Sequence, residues 1–256
     1  MNDGSAVFAM NDGSAVFAMN DGSVAVAGVS ALVVLIPVLA LAVIVGMVVY
    51  SVRRTKQRLA MLGQWAATTG WVLVPRDRDL PLRWNKYPFG VGDSRVAAEI
   101  LYGTWSGSSA ISLTYRFTTG SGRDRTSHVY HVVTLSLPAY LPELTITRDG
   151  LGAKLAKLVG GQDLHFESDD FNRTWRVEAA EPKYGYDVIT PRLMERLLQP
   201  DAVQLGLRID GTDVMCWAVG ATPIEELAPR LEVLAAIRAA VPTFVWRDHG
   251  YDPGNG

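Results

Sequence analysis

Residues 24–50 read VAVAGVSALVVLIPVLALAVIVGMVVY, with no charged side chain and Ser30 as the one polar residue. A helix rises about 1.5 Å per residue, so this run extends roughly 40 Å, against a bilayer hydrocarbon core of about 30 Å. A core helix in water rarely runs so long without a charge. Pro37 sits mid-span, where a kink is tolerated in lipid because neighbouring groups satisfy the freed carbonyl. The segment therefore reads as a transmembrane helix.

The flanks orient it. Asp3, Asp12 and Asp21 precede the span with no Lys or Arg, whereas Arg53, Arg54, Lys56 and Arg58 follow it directly. Basic residues near a span end are retained on the cytoplasmic side, which puts the N-terminus outside and the remainder of the chain in the cytoplasm. The same four cations, in a juxtamembrane helix over residues 51–70, are candidate contacts for anionic lipid headgroups. Ala40-Leu41-Ala42 looks like a signal-peptidase site, but a basic n-region is missing and the site falls in the middle of an overlong apolar run.

Ahead of the span, MNDGSAVFA, MNDGSAVFA and MNDGSVAVA begin at Met1, Met10 and Met19. This nonapeptide is shorter than a solenoid unit and has no apolar face to stack. It reads as a duplication near the start of the gene, with three candidate initiators, and residues 1–23 are expected to be flexible.

The rest of the composition mostly excludes. A net charge of −2 provides no global field for nucleic acid, and the seven tryptophans have no basic stripe beside them. One cysteine, Cys216, rules out an internal disulfide and any multi-thiolate metal site.

Residues 71–246 read as one α+β domain. In 57–69, Leu59, Leu62 and Ala66 share a helix face, and Gly70 ends the helix. A short strand over 71–74 and a proline-cornered loop over 76–92 come next. Period-two alternation then marks three strands. In 94–102 the inward set is Val96, Ala98, Ile100 and Tyr102. In 109–117 it is Ile111, Leu113, Tyr115 and Phe117, opposed by Ser112, Thr114 and Arg116. In 126–137 it is Val129, His131, Val133, Leu135 and Leu137. Short Gly/Ser/Thr connectors predict an antiparallel meander with one buried and one wetter face.

Farther on, 144–146 reads as a strand, 151–158 as a helix ended by Gly160-Gly161, and Ser168 as the cap of a helix over 169–173. Residues 176–177 read as extended, and 191–198 as a helix capped by Thr190. Alternation through Val203, Leu205, Leu207 and Ile209, then Asp210-Gly211, predicts a hairpin returning over 214–219. A final helix starts at Thr222-Pro223, with Glu225 in a capping box. It carries Leu227, Leu231, Leu234, Ile237 and Val241 on one stripe, before a disordered tail over 247–256. An antiparallel sheet of meander plus hairpin, covered by helices, is the expected architecture; a pleckstrin-homology-like barrel is the alternative.

Phe166-Glu167-Ser168 with Phe171-Asn172 and Trp175-Arg176-Val177, Tyr186-Asp187, and residues 191–198 (PRLMERLL) carry a resemblance. So do Pro88-Phe89-Gly90 and Phe244-Val245-Trp246. Over about 71–246 the chain resembles an uncharacterised family of actinobacterial membrane-anchored proteins, and more distantly a broader bacterial family of unknown function. The resemblance implies an N-terminal anchor and a domain without assigned catalytic residues.

Chemistry-bearing residues are few. His128 and His131 are three apart, but on a strand odd offsets face opposite ways, so they do not share an ion. His131 reads as a hydrogen-bonded core histidine, and His128 as lying on the wetter face beside Ser112 and Thr114. Glu167, Asp169, Asp170 and Arg173 cluster around a helix start. Together with His128 and Asp187 they form the candidate surface cluster, to be weighed against plain helix-terminus acids. The loop 118–125, with Arg123 and Arg125, reads as a solvated hairpin tip. No catalytic, cofactor or metal site is assigned.

The expected function is therefore a non-catalytic interaction or regulatory domain on a single-pass signal anchor. The alternatives are an enzyme with a site assembled from distant residues, such as His128 with Glu167 or Asp187, and an anionic-lipid sensor. Expected partners are the lipid bilayer and a protein, with homo-oligomerisation open and nucleic acid excluded. A C-terminal fluorescent reporter should mature in the cytoplasm, and a C-terminal alkaline phosphatase should stay inactive; an active phosphatase overturns the orientation.

Overall fold

The computed structural model describes residues 22–148, 162–221 and 223–255. Most of the nonapeptide repeat, the helix expected over 151–158 with its Gly160-Gly161, and Thr222 of the capping box lie outside them. Two compact units divide the chain, Met1–Lys56 and Gln57–Gly256.

The first unit contributes most of helix α1 (Gly22–Thr69), a continuous helix with Pro37 inside it. Large apolar side chains from Leu35 to Val52 are exposed all around it. Among the described residues it is the one helix long and apolar enough to cross a membrane.

In the second unit, the last turns of α1 bury Leu62 and Ala66 and half-bury Leu59, as the spacing predicted. Gly70 adopts φ +75 and the Trp71 amide donates to the Ala66 carbonyl at 2.9 Å. This left-handed cap stops the helix and satisfies one of its last carbonyls.

The strands are β1 (Val72–Asp77), β2 (Asp93–Trp105), β3 (Ser108–Thr119), β4 (Thr126–Arg148), β5 (Gln162–Leu164), β6 (Trp175–Ala179) and β7 (Gly206–Val219). They make one open antiparallel sheet in the order β1-β2-β3-β4-β6-β5, with β7 also on β4. The fold is α+β and not a closed barrel. β4 is its spine. β7 runs along one edge of β4, while β3 and β6 share the other, β3 beside residues 126–135 and β6 beside 144–148.

Two expected breaks are absent. Leu144–Ile146 continues β4 through Pro138 and Pro142, and Asp210-Gly211 continues β7 instead of turning a hairpin. Both irregularities fall at the same level. The register shifts between Ser136 and Leu141 and again between Leu141 and Leu144, and Gly211, at φ +64, stands opposite Leu141. Prolines and a positive-φ glycine are tolerated where the ladder is already bulged. The local turn signal yields because each half of β7 finds a free edge on β4.

The meander also buries both faces, where one wet face was expected. Leu113, Tyr115 and Phe117 stand opposite Val132, Tyr130 and His128, while Ser112 and Thr114 stand opposite Val133 and His131. The first set joins Trp84, Phe89 and Trp217 in one core, and Val133 and Leu135 belong to a larger core on the other side. Register shifts in β2, with Ser94 and Glu99 at positive φ, interrupt its alternation, so Ile100 and Leu101 are both buried in different cores.

Helices follow as α2 (Asp169–Thr174), α3 (Pro182–Val188), α4 (Pro191–Leu197), α5 (Leu227–Ala240) and α6 (Thr243–Asp248). Ser168 caps α2 by accepting from the Phe171 amide at 3.3 Å, and Thr190 caps α4 by accepting from Leu193 at 3.3 Å. A single 3-10 turn over Ile224–Glu226 leads into α5, so Pro229 falls in its first turn, where proline is tolerated. The stripe Leu227, Leu231, Leu234, Ile237 and Val241 is buried, and α5 packs on β4 and β7. Tyr251 packs against the larger core, its amide donating to the Trp246 carbonyl at 2.9 Å, and Arg247 pairs with Asp252 at 3.2 Å.

Leu144 is fully buried where β4 pairs with both β6 and β7. Leu144→Ala should cost about 2–5 kcal/mol, read as a lowered unfolding midpoint of the full chain in lipid nanodiscs. A substitution of exposed Leu82 should leave that midpoint unchanged.

Candidate functional site

Two constellations stand out, one on each face of the sheet. The first is a buried polar network under α5. Glu99 in β2, held at φ +53, meets Arg58 Nε at 2.9 Å and accepts from Thr114 Oγ1 at 3.0 Å. Beside it His131 Nε2 lies 2.8 Å from Ser112 Oγ, and its Nδ1 meets Arg230, which also pairs with Glu226 at 2.7 Å. A guanidinium only donates, so Nδ1 accepts and Nε2–H donates to Ser112. Burial, then the Arg230 and Arg58 charges, hold the imidazole well below its ordinary value of 6.5, and it stays neutral. The wetter-face serine and threonine of the sequence pattern are thus buried, each with a polar partner.

The second is a cavity of about 390 Å³ on the other face. Phe117, Thr119, His128 and Tyr130 wall it where β3 meets β4; Thr147 and Arg148 come from the far end of β4; Gly206, Trp217 and Val219 come from both ends of β7, with Leu205 just ahead of that strand; Tyr87 and Val91 close it. Tyr130 and Arg148 would stand roughly 60 Å apart on a straight strand. Their meeting at one cavity shows how strongly the β4–β7 ribbon bends at its bulged middle.

The cavity's rings brace one another. Phe117 stacks on His128 at 4.8 Å and on Tyr130 at 5.9 Å, and Tyr87 sets its edge to Tyr130 and to Trp217 at 5.9 and 6.3 Å. The Tyr87 and Tyr130 hydroxyls share a hydrogen bond, and burial, then that bond, push the Tyr87 phenol up, so it stays protonated. A Cβ on Gly206 would fall 2.2 Å from Trp217 Cε2, so only glycine lets the indole lie against the backbone there. Arg208, 1% exposed, is buried beside the indole, 5.5 Å from its ring centre. It donates to the Tyr87 and Lys86 carbonyls at 2.8 and 3.3 Å, with Asp210 at 3.6 Å. Arg208 therefore fixes the wall that Tyr87 belongs to.

Within the six-residue candidate surface cluster Asp170 pairs with Arg173, while His128 and Asp187 have partners outside it. His128 bonds Thr119 at 2.8 Å and lines the cavity, on the aromatic face and not beside Ser112 and Thr114. Asp169 and Asp170 are exposed in the first turn of α2, where Asp170 pairs with Arg173. Asp187 pairs with Lys183 at 2.7 Å, and Glu167 is exposed. Phe166 and Asn172 bond reciprocally at 3.0 and 2.6 Å, locking the approach to α2. Among the described residues, no three His, Cys, Asp or Glu side chains are grouped to hold a metal ion. Arg53, Arg54 and Lys56 are exposed, while Arg58 turns to Glu99. Arg125 bonds Ser94 and Thr118 at 2.9 and 3.1 Å. Burial pushes the Cys216 thiol up to about 12, which leaves it inert at neutral pH.

Sequence reasoning missed Arg208 and Gly206. The signal for Arg208 was a lone charge in an alternating apolar strand; for Gly206 there was none, because its requirement comes from an indole eleven positions away across the bend.

No protein-family model matches the chain, and no curated protein matches it. Among solved structures it is similar to the mycobacterial trehalose monomycolate transport factor A, TtfA. That similarity has 11% identity and a TM-score of 0.45, over 70% of this chain and 91% of that one.

The neutral His131 sets a pH dependence. Its folded value lies below the unfolded one, so the unfolded chain binds a proton that the folded chain refuses. Stability is complete above about 6.5 and falls as pH drops toward the folded value, by up to about 1.4 kcal/mol per pH unit. His131→Gln should flatten that part of the unfolding-midpoint profile in nanodiscs; an unchanged slope assigns it to other groups.

Proposed function

We propose that this chain is a single-pass membrane protein whose second unit is a non-catalytic binding domain in the cytoplasm, and that the ring-lined cavity is its binding site. The carrying observation is the cavity itself. Its volume lies in the range of small-molecule sites, its walls are aromatic and aliphatic, and a few polar groups stand among them. The braced rings and the buried Arg208 behind them make a preformed site, which lowers the cost of ordering on binding. The apolar helix and the cations after it support placement at the cytoplasmic leaflet.

A neutral long-chain alcohol bearing a diazirine, added to the full chain in phosphatidylcholine nanodiscs and photolysed, should label peptides containing Tyr130, Leu205 and Trp217. Thr147→Trp overfills the cavity at a cost of about 1–3 kcal/mol, and should lower that labelling about tenfold without altering labelling of α1. Labelling of α1 alone in the wild type sinks the reading.

A further inference from the structure

The polar groups of the cavity decide what kind of molecule it holds. Arg148 is exposed at the end of β4 and lines the cavity, as does His128 across from it, and among the described residues no carboxylate lines it. Among the described lining residues a cationic head would meet Arg148 and no carboxylate, whereas an anionic head would gain a charge-assisted hydrogen bond. The remaining wall, from Phe117 and Tyr130 to Leu205 and Trp217, offers rings and methyl groups that suit a hydrocarbon chain. The cavity, of about 390 Å³, is large enough to take a hydrocarbon chain.

We propose that the cavity binds an anionic amphiphile, with a hydrocarbon chain among Phe117, Tyr130, Leu205 and Trp217 and its head at Arg148. This rests on the reading of the cavity as a binding site and adds the charge of the ligand's head. The bilayer that the apolar helix requires is the natural reservoir for such a molecule. Among the polar groups of the wall, Thr119 and His128 bond each other at 2.8 Å, and so do the two phenols.

The test uses the full chain in phosphatidylcholine nanodiscs under mildly alkaline buffer. Three diazirine probes share one straight chain and differ in head: carboxylate, alcohol and trimethylammonium. In the wild type, cavity peptides should be labelled about tenfold more by the carboxylate than by the trimethylammonium, with the alcohol between them. Arg148→Glu should reverse the order of the two charged probes and Arg148→Gln should bring them level, both with unchanged unfolding midpoints. Equal labelling by all three heads, or an order that Arg148→Glu leaves intact, overturns the anionic-head inference while the binding site stands. If no probe labels the cavity, the binding reading falls as well.

Discussion

The bend in the β4–β7 ribbon is the constraint on which the rest of the second unit depends. β4 has only two edges, yet it pairs with three strands, because β3 and β6 occupy different halves of one edge while β7 runs along the other from Tyr130 to Ile146. Such sharing needs a strand long enough for both halves and bent enough to set its two arms apart. Pro138, Pro142 and the positive-φ Gly211 supply the bend at one level of the ladder. A straight ribbon would hold the same pairs but would carry Tyr130 and Arg148 far apart, and the cavity between them would not exist.

Bending exposes the inner faces to each other, and buried polar groups then fix the distance. Arg208 ties β7 to the 86–87 segment through two carbonyls, and Asp213 holds Arg83 at 2.8 Å and the Trp84 indole at 3.1 Å. Burial raises the Asp213 carboxyl above its ordinary value, and the Arg83 charge and the Trp84 hydrogen bond partly offset that rise. Buried pairs of this kind contribute little net stability against an apolar substitute, and losing one partner is costly because the other is left unpaired. Their effect is to hold the loop in one position. On the opposite face the Glu99–Arg58 and His131–Arg230 pairs do the same for the end of α1 and the start of α5.

How much of this was legible depended on the range of the interactions. The strands of the meander, the capped helices and the buried stripe of α5 arise from local periodicity and capping chemistry. The Asp210-Gly211 hairpin failed because a turn signal is weak beside a free strand edge, and that edge belongs to residues some seventy positions away. Ser112 and Thr114 were read as facing water because polarity alternated with apolarity. Their actual partners, His131 and Glu99, lie on neighbouring strands, and a single strand's pattern does not show whether its polar face will be covered. The acid cluster at 167–170 was conspicuous in one dimension and is largely a helix start in three.

The sequence alone determined the apolar span, its charge asymmetry and the α+β character of the domain after it, because each rests on groups a few residues apart or on the cost of exposing hydrocarbon to water. Tertiary structure decided the continuity of β4 and β7, the burial of both sheet faces, the place of His128, Arg148 and Gly206 around one cavity and that of Arg208 behind its wall. Those features arise when distant segments compete for the same strand edges and the same buried space, and the outcome depends on the summed packing of the whole domain.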